Sequence, residues 1–174
     1  MSIEAVTVSS IMVRKVKTAK QAQSLRAVAK IMADNDIGCV IITKDDEGAK
    51  PVGIITERDI VRITGGRTGA TLQLPARDVM SKPIVTIGAN SSIKDALQQM
   101  ELKNIRRLPV VDNESRMLGI VTDKDIFRAL MRNQTLVTSF CESLTVEYKP
   151  VYERLSEFMM GEMPVPGGHP DGNF

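Results

Sequence analysis

Residues 53–60 read GIITERDI, and residues 119–126 read GIVTDKDI. In both, a glycine precedes a short apolar, β-branched run, Ile54-Ile55 or Ile120-Val121, which reads as a buried strand. Thr-x-x-Asp follows, and an apolar residue closes the octet. The Thr56/Asp59 and Thr122/Asp125 spacing is that of a capping box, so each strand is expected to feed directly into a helix. Unpaired N–H groups at such a helix start favour an anion or polar ligand. Capping alone explains one copy of the motif. Two copies, each with the same glycine and strand before it, raise a second role, because a carboxylate beside a hydroxyl can accept both hydrogens of a ribose diol.

The octets sit in a longer repeat. Met12 and Met80, Thr18 and Thr86, Ser24 and Ser92, Met32 and Met100, and Ile37 and Ile105 are each 68 positions apart. The octets themselves are 66 apart, and the difference falls in the polar turns KDDEGAKP and DNESRM, where length changes are cheap. Two copies at this period indicate a duplicated unit whose halves pack together.

Each unit has the same order. An extended piece (Lys15 to Thr18, or Pro83 to Ile87) precedes a helix with apolar positions Leu25, Val28, Ala29 and Met32, or Ile93, Ala96, Leu97 and Met100. A strand (Gly38 to Thr43, or Leu108 to Val111), a polar turn and a second strand (Val52 to Ile55, or Leu118 to Val121) follow. The unit ends in the helix from Glu57 or Asp123. Ile60-Val61, Ile126-Phe127 and Leu130-Met131 give the final helices a stripe wide enough to face a partner as well as the core. Thr64 to Pro75 is glycine-rich and links the units.

Composition narrows the function classes. The chain has 174 residues, 43% hydrophobic and 25% charged, as in an ordinary globular protein with a real core. A net charge of +2 argues neither for nor against nucleic acid. No apolar run is long enough to span a bilayer, and MSIEAVTVSS lacks a basic-then-apolar export pattern. The two cysteines, Cys39 and Cys141, are far apart, and Cys39 in IGCVII reads as a small buried hydrophobe. A reduced, cytoplasmic protein without disulfides is expected. With His169 the single histidine, no zinc-ligand or histidine-based catalytic constellation can be assembled, so no catalytic residue, metal or cofactor is expected.

The tandem β-α-β-β-α order with its repeated octet resembles the cystathionine-β-synthase (CBS) domain pair, or Bateman module, over residues 8 to 132. SSIMVRK, RDVMSKP and NIRRLPVVD are also family-like. The resemblance implies an α+β fold of two CBS units with pseudo-twofold symmetry. Residues 8–64 form the first, 65–75 a linker and 76–132 the second, with 133–174 a C-terminal extension. It also implies a non-catalytic module that binds AMP, ADP, ATP or a related adenosyl compound as a regulatory ligand and signals to a client protein.

Family sites are crossed between units. Carried over, one site takes Thr56, Arg58 and Asp59 with Ile84, Val85, Arg106, Arg107 and Pro109. The other takes Thr122, Lys124 and Asp125 with Val16, Lys17, Ile37, Gly38 and Ile41. The aspartates are expected to hold ribose, the threonines ribose or phosphate, and the apolar residues the base, whose edge pairs with main-chain groups. Arginine can grip phosphate bidentately. Arg106-Arg107 against Gly38-Cys39 makes the Asp59 site better suited to charged phosphates. Ile41 departs from the family pattern kept at Pro109, which alters the second pocket.

Three features fall outside the repeat. Ala5 to Ala33 lacks acidic residues and carries Arg14, Lys15, Lys17, Lys20, Arg26 and Lys30. A nucleic-acid-binding or transcriptional role is the alternative this raises, but no aromatics are interleaved for base stacking, so a solvated face is the preferred reading. Residues QTLVTSFCESLTVEYKP read as extended or irregular. Val151 to Met160 reads as a short helix whose Phe158, Met159 and Met160, with nearby Met163, cover either the domain's own core or a partner. Two chains are expected to form a homodimer through the helices after Thr-x-x-Asp.

Overall fold

The apolar stripe at Leu25, Val28 and Met32 gives the first long helix, and the Ser24 hydroxyl caps it by accepting from the Ala27 N–H at 3.3 Å. Its repeat counterpart begins at Ser92, which forms a full capping box with Asp95. Asp36 and Asn104, past the ends of these helices, both adopt the left-handed conformation (φ 51° and 49°), where short polar side chains are best tolerated.

The structure is a computed structural model that describes residues 5–44, 50–66, 70–133, 136 and 157. The first half holds α1 (Val8–Ile11), β1 (Thr18–Lys20), α2 (Leu25–Asn35), β2 (Cys39–Thr43), β3 (Pro51–Thr56) and α3 (Glu57–Gly66). A 3₁₀ turn at Ala70–Gln73 leads to α4 (Ala76–Val79), β4 (Ile87–Gly88), α5 (Ile93–Leu102), β5 (Arg107–Val111), β6 (Met117–Thr122) and α6 (Asp123–Met131). The fold is α+β, with two three-stranded sheets ordered β1-β2-β3 and β4-β5-β6. In each, the first strand runs parallel to the middle one and the third antiparallel to it.

Each sheet buries one face in its own core. Val40, Ile42 and Ile55 join Leu25, Val28 and Met32 in the first; Leu108, Val110 and Val121 join Ile93, Leu97 and Met100 in the second. Ile41 is fully buried but belongs to neither core, because alternation along β2 turns it to the opposite sheet face.

Along the chain α1 opens the first half and α4 the second, but in space they exchange. Val8 and Met12 complete the second core, while Ala76, Val79 and Met80 complete the first. Backbone bonds fix the exchange: Val8 N–H to the Ser91 carbonyl at 2.9 Å, and Ala76 N–H to the Gln23 carbonyl at 2.7 Å. The octet glycines make room for it. A Cβ on Gly119 would lie 2.8 Å from the Met12 sulfur and 2.8 Å from the Val13 carbonyl oxygen, and one on Gly53 would meet the Met80 side chain.

Within the expected linker, α3 continues through Gly66, Leu72 packs on the first core and Thr71 is buried. Two expectations change. The extended pieces become strands only at Thr18 and Ile87, because their earlier residues cross between sheets. Leu136, expected in an extended or irregular segment, is helical and buried in the second core. The helix read at Val151 to Met160 lies outside the described residues apart from Glu157, which is helical and exposed.

Candidate ligand-binding clefts

Both octets form the expected strand-to-helix junction. One Asp59 carboxylate oxygen, Oδ2, accepts from the Thr56 N–H at 2.9 Å and the Thr56 hydroxyl at 2.7 Å; the Asp59 N–H donates back to that hydroxyl at 3.3 Å. Asp125 repeats this with Thr122 at 2.9, 2.6 and 3.2 Å. The capping role is therefore real at both sites, and it occupies one oxygen of each carboxylate. The other oxygens differ. Oδ1 of Asp59 accepts from the Arg62 guanidinium at 3.1 Å, while Oδ1 of Asp125 has no hydrogen-bond partner among the described residues. Arg62 was not among the expected site residues, although its place one helical turn after Asp59 was readable.

The chain between each lead-in helix and its first strand links the two sheets. Val13 and Ile120 exchange backbone bonds at 2.9 Å, and four residues later the Lys17 carbonyl accepts from the Ile41 N–H at 3.3 Å. Val16 and Lys17 thus run from β6, which ends at Thr122, to β2, which contains Ile41. By the same path Ser81 pairs with Ile54 on β3, and Ile87 pairs with Val110 on β5. Ile84 and Val85 lie on that crossing, between the strand that ends at Thr56 and the strand that contains Pro109. Ile37 and Val85 also rest on the first and second cores. Arg58, Lys17 and Lys124 are exposed, and Pro109 and Ile41 are buried.

The two halves approach each other at Gly38. A Cβ on Gly38 would sit 3.0 Å from Glu57 Oε2 and 3.3 Å from Arg107 Nη2. Arg107, carried over to the Thr56 site, and Gly38, carried over to the Thr122 site, are therefore neighbours. Glu57 opens α3, so Arg107 reaches across to the helix start of the first octet. Arg106 turns the other way, toward Asp123 in its own half, at 3.9 Å. Cys39 is half-buried on the sheet face turned toward Arg107 rather than in the core. Burial pushes its thiol above the ordinary value, Arg107 pulls it down, and Glu57 adds to the rise.

Among the described residues no cluster of His, Cys, Asp or Glu is arranged to hold a metal ion, and no helix is long and apolar enough to cross a membrane. Of the basic residues before Ala33, Lys30 pairs with Asp34 at 2.9 Å and Lys20 donates to the Lys44 carbonyl at 2.9 Å.

Comparison with known proteins places this geometry. The CBS domain model matches residues 8–66 and again 76–132. An uncharacterized protein of Methanopyrus kandleri is 34% identical over 126 residues, which are 72% of this chain and 63% of that protein. The chain thus spans less than two thirds of that curated relative. The structure of a CBS domain protein from Pyrobaculum aerophilum complexed with AMP superposes with a TM-score of 0.68 at 25% identity, over 79% of this chain and 100% of that one. The CBS domain pair of protein MJ0100, in complex with 5-methylthioadenosine and S-adenosyl-L-methionine, gives 0.65 at 29% identity over 74% and 98%. The chain belongs to the CBS domain family, with one unit in each of its halves.

Proposed function

We propose that this protein is a non-catalytic regulatory module that binds adenosine nucleotides in two clefts, one at each octet, and passes the bound state to a client protein. The observation that carries the reading is the pair of strand-to-helix junctions. Each presents a carboxylate held by one oxygen, with its second oxygen in a single ion pair or without a partner among the described residues, beside a segment that crosses to the other half. A ribose diol needs such an acceptor. The two solved relatives described above, with AMP and with adenosyl compounds, support the ligand class.

The Asp59 cleft takes the more highly charged ligands. Arg107 reaches its helix start and Arg58 is exposed on the same turn, whereas the Asp125 cleft has Lys124 and no arginine at the position of Arg107. A ligand shared between halves regulates only by favouring one arrangement of them over another. Two chains pair through α3 and α6, on which Val61 and Met131 remain exposed.

A thermal-shift screen of AMP, ADP, ATP, S-adenosylmethionine and NAD tests the reading. Stabilisation by an adenosine nucleotide, reduced in Asp59→Ala and Asp125→Ala, is the expected result; no stabilisation by any of them refutes it.

A further inference from the structure

The two octet carboxylates are held alike by one oxygen and differently by the other. Oδ1 of Asp59 accepts from the Arg62 guanidinium at 3.1 Å. Asp125 makes no ion pair among the described residues, although Arg128 follows it at the same spacing. The settings differ too, with Asp59 buried and Asp125 half-buried.

Only 11% of the Asp59 side chain remains exposed, against 73% of Arg62. Oδ2 is already committed to the Thr56 cap. What stays open over Oδ1 is therefore taken by the guanidinium, and a sugar hydroxyl that approaches this oxygen has to move it aside. The long, exposed arginine side chain can leave, so the cleft is not closed. The ion pair it gives up is subtracted from what the sugar gains.

We propose that Arg62 is a specificity-determining residue: as an internal occupant of the sugar acceptor, it lowers the preference of the first cleft for a ligand with both ribose hydroxyls. The second cleft, with no such occupant on Asp125 among the described residues, keeps the full preference. The inference rests on the nucleotide reading above and concerns how strongly each cleft reads the sugar. An ion pair with one exposed partner moves an equilibrium only modestly, so about a threefold effect is expected.

AMP and 2′,3′-dideoxy-AMP share base and charge, so the ratio of their affinities reports the sugar hydroxyls and cancels the loss of a positive charge. Titrated calorimetrically into the full chain carrying Asp125→Ala, AMP is expected to bind about threefold tighter than the dideoxy compound, and adding Arg62→Ala is expected to widen the ratio to about tenfold. An unchanged or smaller ratio overturns the inference and leaves the nucleotide reading standing. Absence of binding by both nucleotides overturns the nucleotide reading and the inference with it. A second measurement needs no substitution of either aspartate. Arg62 is exposed, so Arg62→Ala alone leaves the fold intact. Against the unaltered protein, it is expected to raise the preference for AMP about threefold at one of the two sites and not at the other. No rise at either site, or an equal rise at both, overturns the inference.

Discussion

Val61 on α3 and Phe127 on α6 occupy the same repeat position, one residue after the octet, yet Val61 is 69% exposed and Phe127 2%. The backbone around them is the same; what covers it is not. On α6, Phe127 and Leu130 share a core with Val8 and Met12 from the lead-in side and with Leu136 from beyond the helix. On α3, Ile60 and Ile63 pack inward on the first core while Val61 faces out. Duplication kept the two octets and let their surroundings diverge. The second half closed over its last helix, and the first leaves an apolar position exposed.

The sharpest test of that difference is truncation at the paired positions. Phe127→Ala is expected to cost about 3–5 kcal/mol in chemical denaturation, and Val61→Ala at dilute protein less than about 0.5 kcal/mol. A comparable loss from both would erase the distinction. If Val61 lies in the chain-to-chain contact, Val61→Glu shifts the species seen by light scattering toward monomer without unfolding it.

The octet glycines come next. Gly119→Ala drives a methyl against the fixed Val13 carbonyl, and about 2–3 kcal/mol is expected; Gly53→Ala meets only the movable Met80 side chain, for about 1 kcal/mol. Reversal of that order would show that the two lead-in crossings are not supported in the way their contacts imply.

The clefts give a smaller contrast, read in affinity. Arg107→Ala is expected to weaken ATP binding about tenfold, and Asp125→Ala about threefold, because the proposed function assigns the stronger phosphate contacts to the first cleft. Equal losses would mean that the clefts are equivalent despite Arg107.

The smallest effect concerns pH. Asp112 shapes the β5–β6 turn, accepting from the N–H groups of Glu114 and Arg116, both at 2.9 Å, and from Arg116 Nε at 2.8 Å. The Arg116 side chain, then its backbone N–H, hold this carboxyl below its usual range. A folded-state value below the unfolded one stabilises above the unfolded pKa and is lost as pH falls through the folded one. The turn's contribution is therefore expected to be flat at neutral pH and to fade only in acid, and Asp112→Asn should remove that acid dependence from the denaturation midpoint.

Much of the fold was legible because its signals are local. Apolar periodicity placed α2 and α5, β-branched runs placed the inner strands, and Thr-x-x-Asp announced its own capping bonds at both junctions. The exchange of α1 and α4 was not legible. A repeat period says which residues correspond, but not which core each one joins, and the short lead-in helices carry too few apolar residues to show a face. Within the clefts, the threonines, aspartates and Pro109 could be read as positions. The nearness of Arg107 to Gly38 and Glu57 depends on how two sheets meet, which no spacing within one unit encodes. The different settings of Ile60-Val61 and Ile126-Phe127 were hidden for the same reason: both pairs look equally apolar, and only Leu136 and α1 distinguish them.

The traded lead-in helices have a consequence for the half as a physical object. Expressed alone, either half would have an open flank where the other's helix belongs and a helix of its own with nowhere to dock. Two identical halves could answer each other's need only by swapping, so the smallest self-sufficient form of this architecture is a pair, and joining the two in one polypeptide makes that pairing independent of concentration.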